Sequence, residues 1–177
     1  MLFRSASKLA GEAYCSAYFR TYGIHTVALR FGNVYGTLSN HKGSVVAKFI
    51  RQALKGETLE IYGDGNQTRD FIYVDDLIRA IRLAANALGI GGEIFQIATN
   101  SETSIRDLVK ELVSIFSDFG INGTGVVNTE PRRGDVQRNF SDIRKAREML
   151  GWVASVRLRD GLEKTVRWFF NSYSHNL

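Results

Sequence analysis

The sequence is poor in residues that could staple it from within, with one cysteine and three histidines among 177 residues. Cys15 alone cannot close an internal disulfide. His25, His41 and His175 are scattered without metal-ligand spacing, so neither a disulfide framework nor a metal site is expected. Long apolar runs are missing as well: no segment approaches the roughly 20 residues of a membrane-spanning helix. The opening stretch carries Arg4, Lys8, Glu12 and Arg20, which is not the pattern of a signal peptide. A chain of this kind is expected to avoid the membrane and to suit a reducing cytoplasm. Repeats, linkers and low-complexity tracts are absent too, so residues 1–177, 44% hydrophobic, read as a single globular unit around one sizeable core.

Charge, by contrast, is plentiful. Twenty-three Lys and Arg against eighteen Asp and Glu leave a formal charge of +5, which favours an anionic partner such as a diphosphate or a nucleic acid. Much of the surplus lies in Arg132, Arg133, Arg138, Arg144, Lys145 and Arg147, which also reads as an ordinary solvated basic face. Acidic residues are interspersed and no nucleic-acid recognition motif is present, so nucleic acid is set aside as a partner.

Apolar periodicity orders the chain into alternating helices and strands. Leu9, Ala10, Ala13, Ala17 and Tyr18 recur at helical spacing over Ser7 to Tyr22, with Gly23 as the stop. Thr26 to Phe31 is apolar without a period of two, as in a parallel strand covered on both faces. A helix follows over Ser44 to Leu54, then a strand over Leu59 to Tyr62, a polar loop over Gly63 to Asp70 and an extended stretch over Phe71 to Val74. Asp75 or Asp76 should cap a helix reaching Leu88. Beyond it come a strand at Glu93 to Ala98, a helix opened by Ser104 and Asp107, a strand at Val126 to Asn128, a helix capped by Ser141 or Asp142, and a last helix from Leu158. This alternation predicts an α/β layered fold.

Two stretches stand out chemically. Leu29-Arg30-Phe31-Gly32-Asn33-Val34-Tyr35-Gly36 places a glycine-flanked amide at the carboxyl edge of a strand, where open α/β sheets hold ligands, although Gly-Asn and Tyr-Gly pairs also make plain turns. Leu59 to Leu77 combines Tyr62, a flexible polar loop, Arg69 and a capped helix. Together with Pro131-Arg132-Arg133-Gly134-Asp135-Val136 and Leu150-Gly151-Trp152, these ordered segments resemble the extended short-chain dehydrogenase family, particularly its NAD-dependent nucleotide-sugar 4-epimerases and dehydratases. Nearly the whole chain is covered.

The resemblance implies the carboxyl-terminal part of an extended Rossmann-type fold, parallel strands interleaved with a small α/β substrate-binding subdomain. It implies that Asn33, Arg69 and Arg132 contact the diphosphate of a UDP-type sugar, that Tyr62 lies by the base, that Asp135 takes a sugar or ribose hydroxyl, and that Val34 and Lys8 lie on the cofactor side. Arg forks suit phosphate oxygens and a short carboxylate suits hydroxyls. Simpler readings stand beside these: Arg69 paired with Asp70 or Asp75, and Asp135 closing a turn after Gly134.

Departures from the family pattern matter as much. Lys8 in Ser5-Ala6-Ser7-Lys8-Leu9-Ala10-Gly11-Glu12 resembles the lysine that follows a catalytic tyrosine by four residues, a helical neighbour able to lower a phenol's pKa of about 10. Arg4 stands in that tyrosine's place and cannot serve as a base. The family's opening strand, glycine-rich turn and helix are expected to be missing from these 177 residues, since Gly120 to Gly125 only imitates the fingerprint, running from a helix into a strand. Thr37 and Ala154 occupy positions where the family commonly has proline. The parent reaction implied is NAD-dependent oxidation and reduction at C4 of the sugar, while the isolated chain is expected to bind no NAD and to be inactive. The alternative is a non-catalytic nucleotide-sugar-binding or assembly module. A homodimer, or a separate cofactor-binding chain, is the expected partner for the exposed face of the first helix.

Overall fold

The computed structural model describes the backbone of residues 2–174 and the side chains of residues 6–173. The described residues form six helices and eight strands: α1 (Leu2–Tyr22), β1 (Ala28–Phe31), β2 (Asn33–Tyr35), α2 (Val45–Leu54), β3 (Leu59–Tyr62), β4 (Thr68–Arg69), β5 (Phe71–Tyr73), α3 (Val74–Asn86), β6 (Ile94–Ile97), β7 (Thr103–Ser104), α4 (Ile105–Asp118), β8 (Val126–Thr129), α5 (Arg144–Leu150) and α6 (Leu158–Ser174). Strands β1 and β6, β2 and β5, and β3 and β8 pair in parallel, and only the short β4 and β7 run antiparallel. The expected α/β fold with parallel strands is therefore the one observed.

Where one strand was expected up to Phe31, the chain makes two, and Gly32 is the switch. Its N–H donates to the Ile97 carbonyl at 2.9 Å, while the next N–H, that of Asn33, donates to the Asp70 carbonyl at 2.6 Å. A Cβ on Gly32 would stand 2.9 Å from the Asp70 carbonyl oxygen and 3.2 Å from the Ala98 Cβ, so this transfer between strand pairs needs glycine.

Strand β5 divides two apolar cores because successive side chains point to opposite faces. Phe71 and Tyr73 join Phe49, Ile50, Leu108, Leu112, Phe116, Leu162 and Val166 in a core between α2, α4, α6 and β3. Ile72 faces the other way, into a core with Phe95, Ile97, Ala80, Ala146 and Trp152 between β6, α3 and α5. Strand β2 follows the same alternation: Tyr35 belongs to the first core and Val34 packs on the second.

Helix ends depart from expectation in physically simple ways. Helix α3 opens at Val74 with Tyr73 as its N-cap, so Asp75 and Asp76 sit in the first turn rather than capping it. Asp76 instead turns inward, accepting from the Ser155 and Val156 N–H groups at 3.0 and 2.9 Å, and the Trp152 indole N–H donates to its carbonyl at 3.0 Å. Helix α5 has Ile143 as its N-cap, and Asp142 accepts from the Arg144 N–H at 2.9 Å one step earlier. Ser104 caps α4 as expected, accepting from the Asp107 N–H at 3.0 Å while its hydroxyl donates back to the Asp107 carboxylate. The polar stretch 63–70 is not wholly a loop, since Thr68 and Arg69 pair with Ser104 and Thr103.

Helix α1 lies at the open end of the molecule. It meets the body through Phe19, which lies against Gly91 and Gly92, through a 2.7 Å hydrogen bond from the Thr26 hydroxyl to the Cys15 carbonyl, and through a two-pronged ion pair between Arg30 and Glu12. Leu9, Tyr14, Tyr18 and Tyr22 remain exposed, Tyr22 to 69%. Strand β1, expected to be covered on both faces, instead leaves Phe31 49% exposed. Among the described residues its sole strand partner is β6, and its other edge is unpaired.

Candidate functional site

A cleft of about 740 Å³ opens beside β2, β3, β5 and the amino end of α2. Its lining includes Asn33, Val34, Tyr62, Arg69, Arg132 and Asp135, so six of the residues singled out from the sequence converge although more than a hundred positions separate the first from the last. Lys42, Lys48, Arg69 and Arg132 line it against only Glu60 and Asp135, an excess of positive charge that draws anions.

Arg69 is the most firmly held of these. Strand β4 carries it between β7 and the segment around 135–137, and its guanidinium is 13% exposed. One terminal nitrogen donates to the Thr68 and Val136 carbonyls at 2.7 and 2.5 Å, and the other donates to Asp135 Oδ1 at 2.6 Å. A guanidinium has five N–H groups, so the Nε–H and one Nη2–H remain for a ligand. Asp135 Oδ1 also accepts the Val136 N–H at 3.0 Å, which leaves Oδ2 as the acceptor for a hydroxyl. Arg69 therefore pairs with neither Asp70 nor Asp75 but with Asp135, 66 residues away, while Asp135 also closes the turn after Gly134, its N–H donating to the Arg132 carbonyl at 3.1 Å.

Tyr62 forms the floor of the opposite end. The Arg132 guanidinium stands 4.3 Å from its ring centroid and the Lys48 ammonium 4.8 Å. Hydrogen bonding from Arg132, helped by the nearby Lys48 charge, holds the phenol below its ordinary pKa. Behind it, the buried Gln67 side chain donates to the Tyr62 carbonyl at 2.8 Å and fixes the end of β3.

Asp70 supports Asn33 and Arg69 from beneath. Its buried carboxylate accepts from the Thr99 N–H and hydroxyl at 2.7 and 2.6 Å and from the Asn100 N–H at 3.0 Å, while its carbonyl takes the Asn33 N–H. Sequence reasoning considered Asp70 only as a partner for Arg69 and passed over Gln67, Lys48 and Glu60 altogether. The signal available was the polar run Gln67-Thr68-Arg69-Asp70 between two strands, since polar side chains there must find partners once buried.

Lys8 is not brought to the cleft: it is exposed on α1. Arg4, its partner in the expected helical pair, has a side chain outside the described residues. Among the described residues no group of His, Cys, Asp or Glu could hold a metal ion, and no helix is long and apolar enough to cross a membrane.

Parallel strand pairs flanked by helices, with a cationic cleft beside them, define an α/β protein of the Rossmann type. The chain belongs to the NAD dependent epimerase/dehydratase family, whose model matches residues 5–98. It is 40% identical over 168 residues to a putative UDP-glucose 4-epimerase of Methanocaldococcus jannaschii, covering 94% of this chain and 52% of that protein. Against a UDP-glucose 4-epimerase of Mycolicibacterium smegmatis it is 38% identical over 169 residues, with 94% and 52% covered. Among solved structures, a UDP-glucose 4-epimerase of Thermotoga maritima with UDP-glucose superposes with a TM-score of 0.85 at 38% identity, covering 93% of this chain and 52% of that one. A UDP-glucuronic acid 4-epimerase of Bacillus cereus, in complex with UDP-glucuronic acid and NAD, gives 0.82 at 31% identity, with 95% and 52% covered. The chain spans about half the length of the curated relatives it matches.

Proposed function

We propose that the cleft binds a nucleoside diphosphate sugar of the UDP type, with Asn33, Arg69 and Arg132 on the diphosphate, the Tyr62 ring beside the base and Asp135 Oδ2 on a hydroxyl. The Arg69–Asp135 pair carries this reading. It holds a nearly buried guanidinium in one orientation with part of its donor set unspent, at the edge of a cleft with surplus positive charge. Charge-assisted hydrogen bonds from such a preset fork are the strong ones for phosphate oxygens. UDP-sugars in the structures of related epimerases support the same ligand class.

The residues present do not fit NAD by themselves. Lys8 stands exposed on α1 away from the cleft, Val34 supplies only an apolar contact, and the glycine run 120–125 leads from α4 towards β8, the reverse of a phosphate-binding turn. Nor can Arg4 take a proton from a sugar hydroxyl. The 177 residues alone are therefore read as binding a nucleotide sugar without interconverting it. They act as the substrate-binding part of an epimerase or dehydratase, a single unit in which the strand pairs and the substrate-binding elements interleave. Incubation of the purified chain with UDP-glucose, UDP-N-acetylglucosamine and NAD should give bound sugar nucleotide and no epimer; measurable epimerisation would refute the inactive reading.

A second reading, an assembly module, is favoured by the exposed α1 face with Leu9, Tyr14, Tyr18 and Tyr22. A second copy or a cofactor-binding chain would cover it. Sedimentation at high concentration should show self-association, and a well-behaved monomer would count against the homodimer.

A further inference from the structure

One short loop lies apart from the cleft and from the first helix, between the end of α4 and the start of β8. The chain has ten asparagines, and Asn122 is the one followed by glycine. Gly120 and Ile121 are still tied to the helix end, their N–H groups donating to the Ser117 and Phe116 carbonyls at 3.0 and 2.9 Å. Beyond them, among the described residues, no backbone hydrogen bond holds Asn122, Gly123 or Thr124. Asn122 and Gly123 are both exposed, Gly123 has φ +72°, and a Cβ there would meet nothing within 4 Å. The Gly123 N–H can therefore swing towards the side chain before it, with no Cβ in the way. The Ser117 hydroxyl donates to Asn122 Oδ1 at 3.4 Å, the oxygen on which negative charge gathers when that amide is attacked.

Two aspartates also precede a glycine, and the fold restrains both. Asp64 accepts the Asn66 N–H and side-chain amide at 2.9 and 2.7 Å, and the following Gly65 is buried. Hydrogen bonding from the Asn66 N–H holds the Asp64 carboxyl below its ordinary value, in the ionised form that resists attack. Asp160 is held by Arg157 at 2.9 and 3.2 Å, and the Gly161 N–H is committed to the Arg157 carbonyl at 3.1 Å. The next asparagine, Asn128, lies within β8, donates to the Gly63 carbonyl at 2.6 Å and is followed by the β-branched Thr129.

We propose that Asn122 is a site of spontaneous deamidation, converted through a cyclic imide to aspartate and isoaspartate. Water or hydroxide takes the Gly123 amide proton, and that nitrogen attacks Asn122 Cγ. A C–N bond forms, the Cγ–Nδ2 bond breaks, and the side-chain nitrogen leaves as ammonia after taking a proton from solvent. Water then opens the five-membered ring at either carbonyl. One route leaves aspartate; the other leaves isoaspartate, with one extra carbon in the main chain. Nothing is oxidised or reduced, since the chain loses ammonia and gains water. Either product puts a carboxylate into the stretch from Phe119 to Thr129, which carries no charge of its own. Isoaspartate also lengthens the connection that sets β8 against β3. The proposal is independent of the nucleotide-sugar reading of the cleft.

The test is incubation of the purified chain in mildly alkaline buffer, folded and in urea, followed by peptide mapping with fragmentation that separates aspartate from isoaspartate. A tryptic peptide from Glu111 to Arg132 carries both Asn122 and Asn128, so the site and its control are read together. In the folded chain Asn122 should gain the mass shift of an amide turned to an acid before any other asparagine, with isoaspartate exceeding aspartate. Gly123→Ala should slow the reaction several-fold. Asn122→Gln, whose longer side chain must close a larger ring, should lose the shift. Asp64 and Asp160 should yield isoaspartate in urea and not in the folded chain. The proposal is overturned if another asparagine reacts first in the folded chain, or if Asn122 reacts in urea alone. Aspartate without isoaspartate, an undiminished rate in Gly123→Ala, or isoaspartate at Asp64 or Asp160 of the folded chain as early as at Asn122 would overturn it as well.

Discussion

The cleft and the α1 end of the molecule are built in opposite ways. Around the cleft, polar groups are tied to one another across long stretches of chain, Asp70 to Thr99 and Asn100 and Arg69 to Asp135, and outside its lining the buried Asp76 is tied in the same way to Ser155 and Val156. Each tie crosses a strand or helix boundary, so the walls are fixed before any ligand arrives. Among the described residues, helix α1 is anchored by the Phe19 ring, a hydrogen bond from Thr26 and the Arg30–Glu12 ion pair, and much of its apolar surface faces water. Helical spacing of apolar residues does not by itself dock a helix; buried area does. The cleft is tied together, and the α1 end leaves apolar side chains exposed.

The largest effect should come from breaking the tied side. Asp76→Ala removes a buried carboxylate that satisfies two backbone N–H groups, the Ser155 hydroxyl and Arg79. A loss of about 3 to 5 kcal/mol of stability is expected, read from urea unfolding. Burial pushes the Asp76 carboxyl up, but the Val156 N–H, Arg79 and Ser155 outweigh it and hold the group below its ordinary value of 3.8. Because the folded value is the lower one, its contribution is complete above the unfolded value and is lost as pH falls through the folded one. Acid unfolding should therefore steepen below about pH 4, and Asp76→Asn should flatten that limb.

Next in size is the anchor of α1. A Cβ at Gly91 would lie 2.1 Å from the Phe19 ring, so Gly91→Ala must expel that ring. About 1 to 3 kcal/mol is expected, with faster hydrogen exchange confined to α1 while α2, α4 and α6 keep their protection. If exchange quickens across the whole chain, α1 is more deeply coupled to the body than its contacts suggest. The smallest effect belongs to the Arg30–Glu12 pair, whose arginine side chain is 44% exposed: Glu12→Gln should change stability by less than about 1 kcal/mol. Its urea midpoint should barely move.

Much of this layout could be read in the residues, and the reasons for what could not be read are specific. Helices α2, α4 and α6 announce themselves because one apolar face recurs at helical spacing, and that face is the one buried in the first core. Asn33, Tyr62, Arg69, Arg132 and Asp135 were drawn together by a family pattern, and the fold does set them around one cleft. The division of the first strand at Gly32 was hidden, since nothing local says that its N–H and the next bond to different strands. Asp76 was expected at a helix cap because Asp is common there, whereas tertiary partners 79 and 80 residues away claimed it. Lys48 and Glu60 drew no notice for the same reason: charged residues 12 apart become a pair only after α2 and β3 pack together.

If the Arg69–Asp135 pair presets a diphosphate site, calorimetry with UDP on the wild-type chain and on Arg69→Ala and Arg69→Lys will separate the three proteins. The wild type should bind, Arg69→Ala should lose about 1.5 to 3 kcal/mol of binding free energy, and Arg69→Lys should recover only part of it because a lysine cannot keep Asp135 and the phosphate on one planar fork. No heat from the wild type with UDP, or equal affinity in all three proteins, would rule out a diphosphate site preset by this pair.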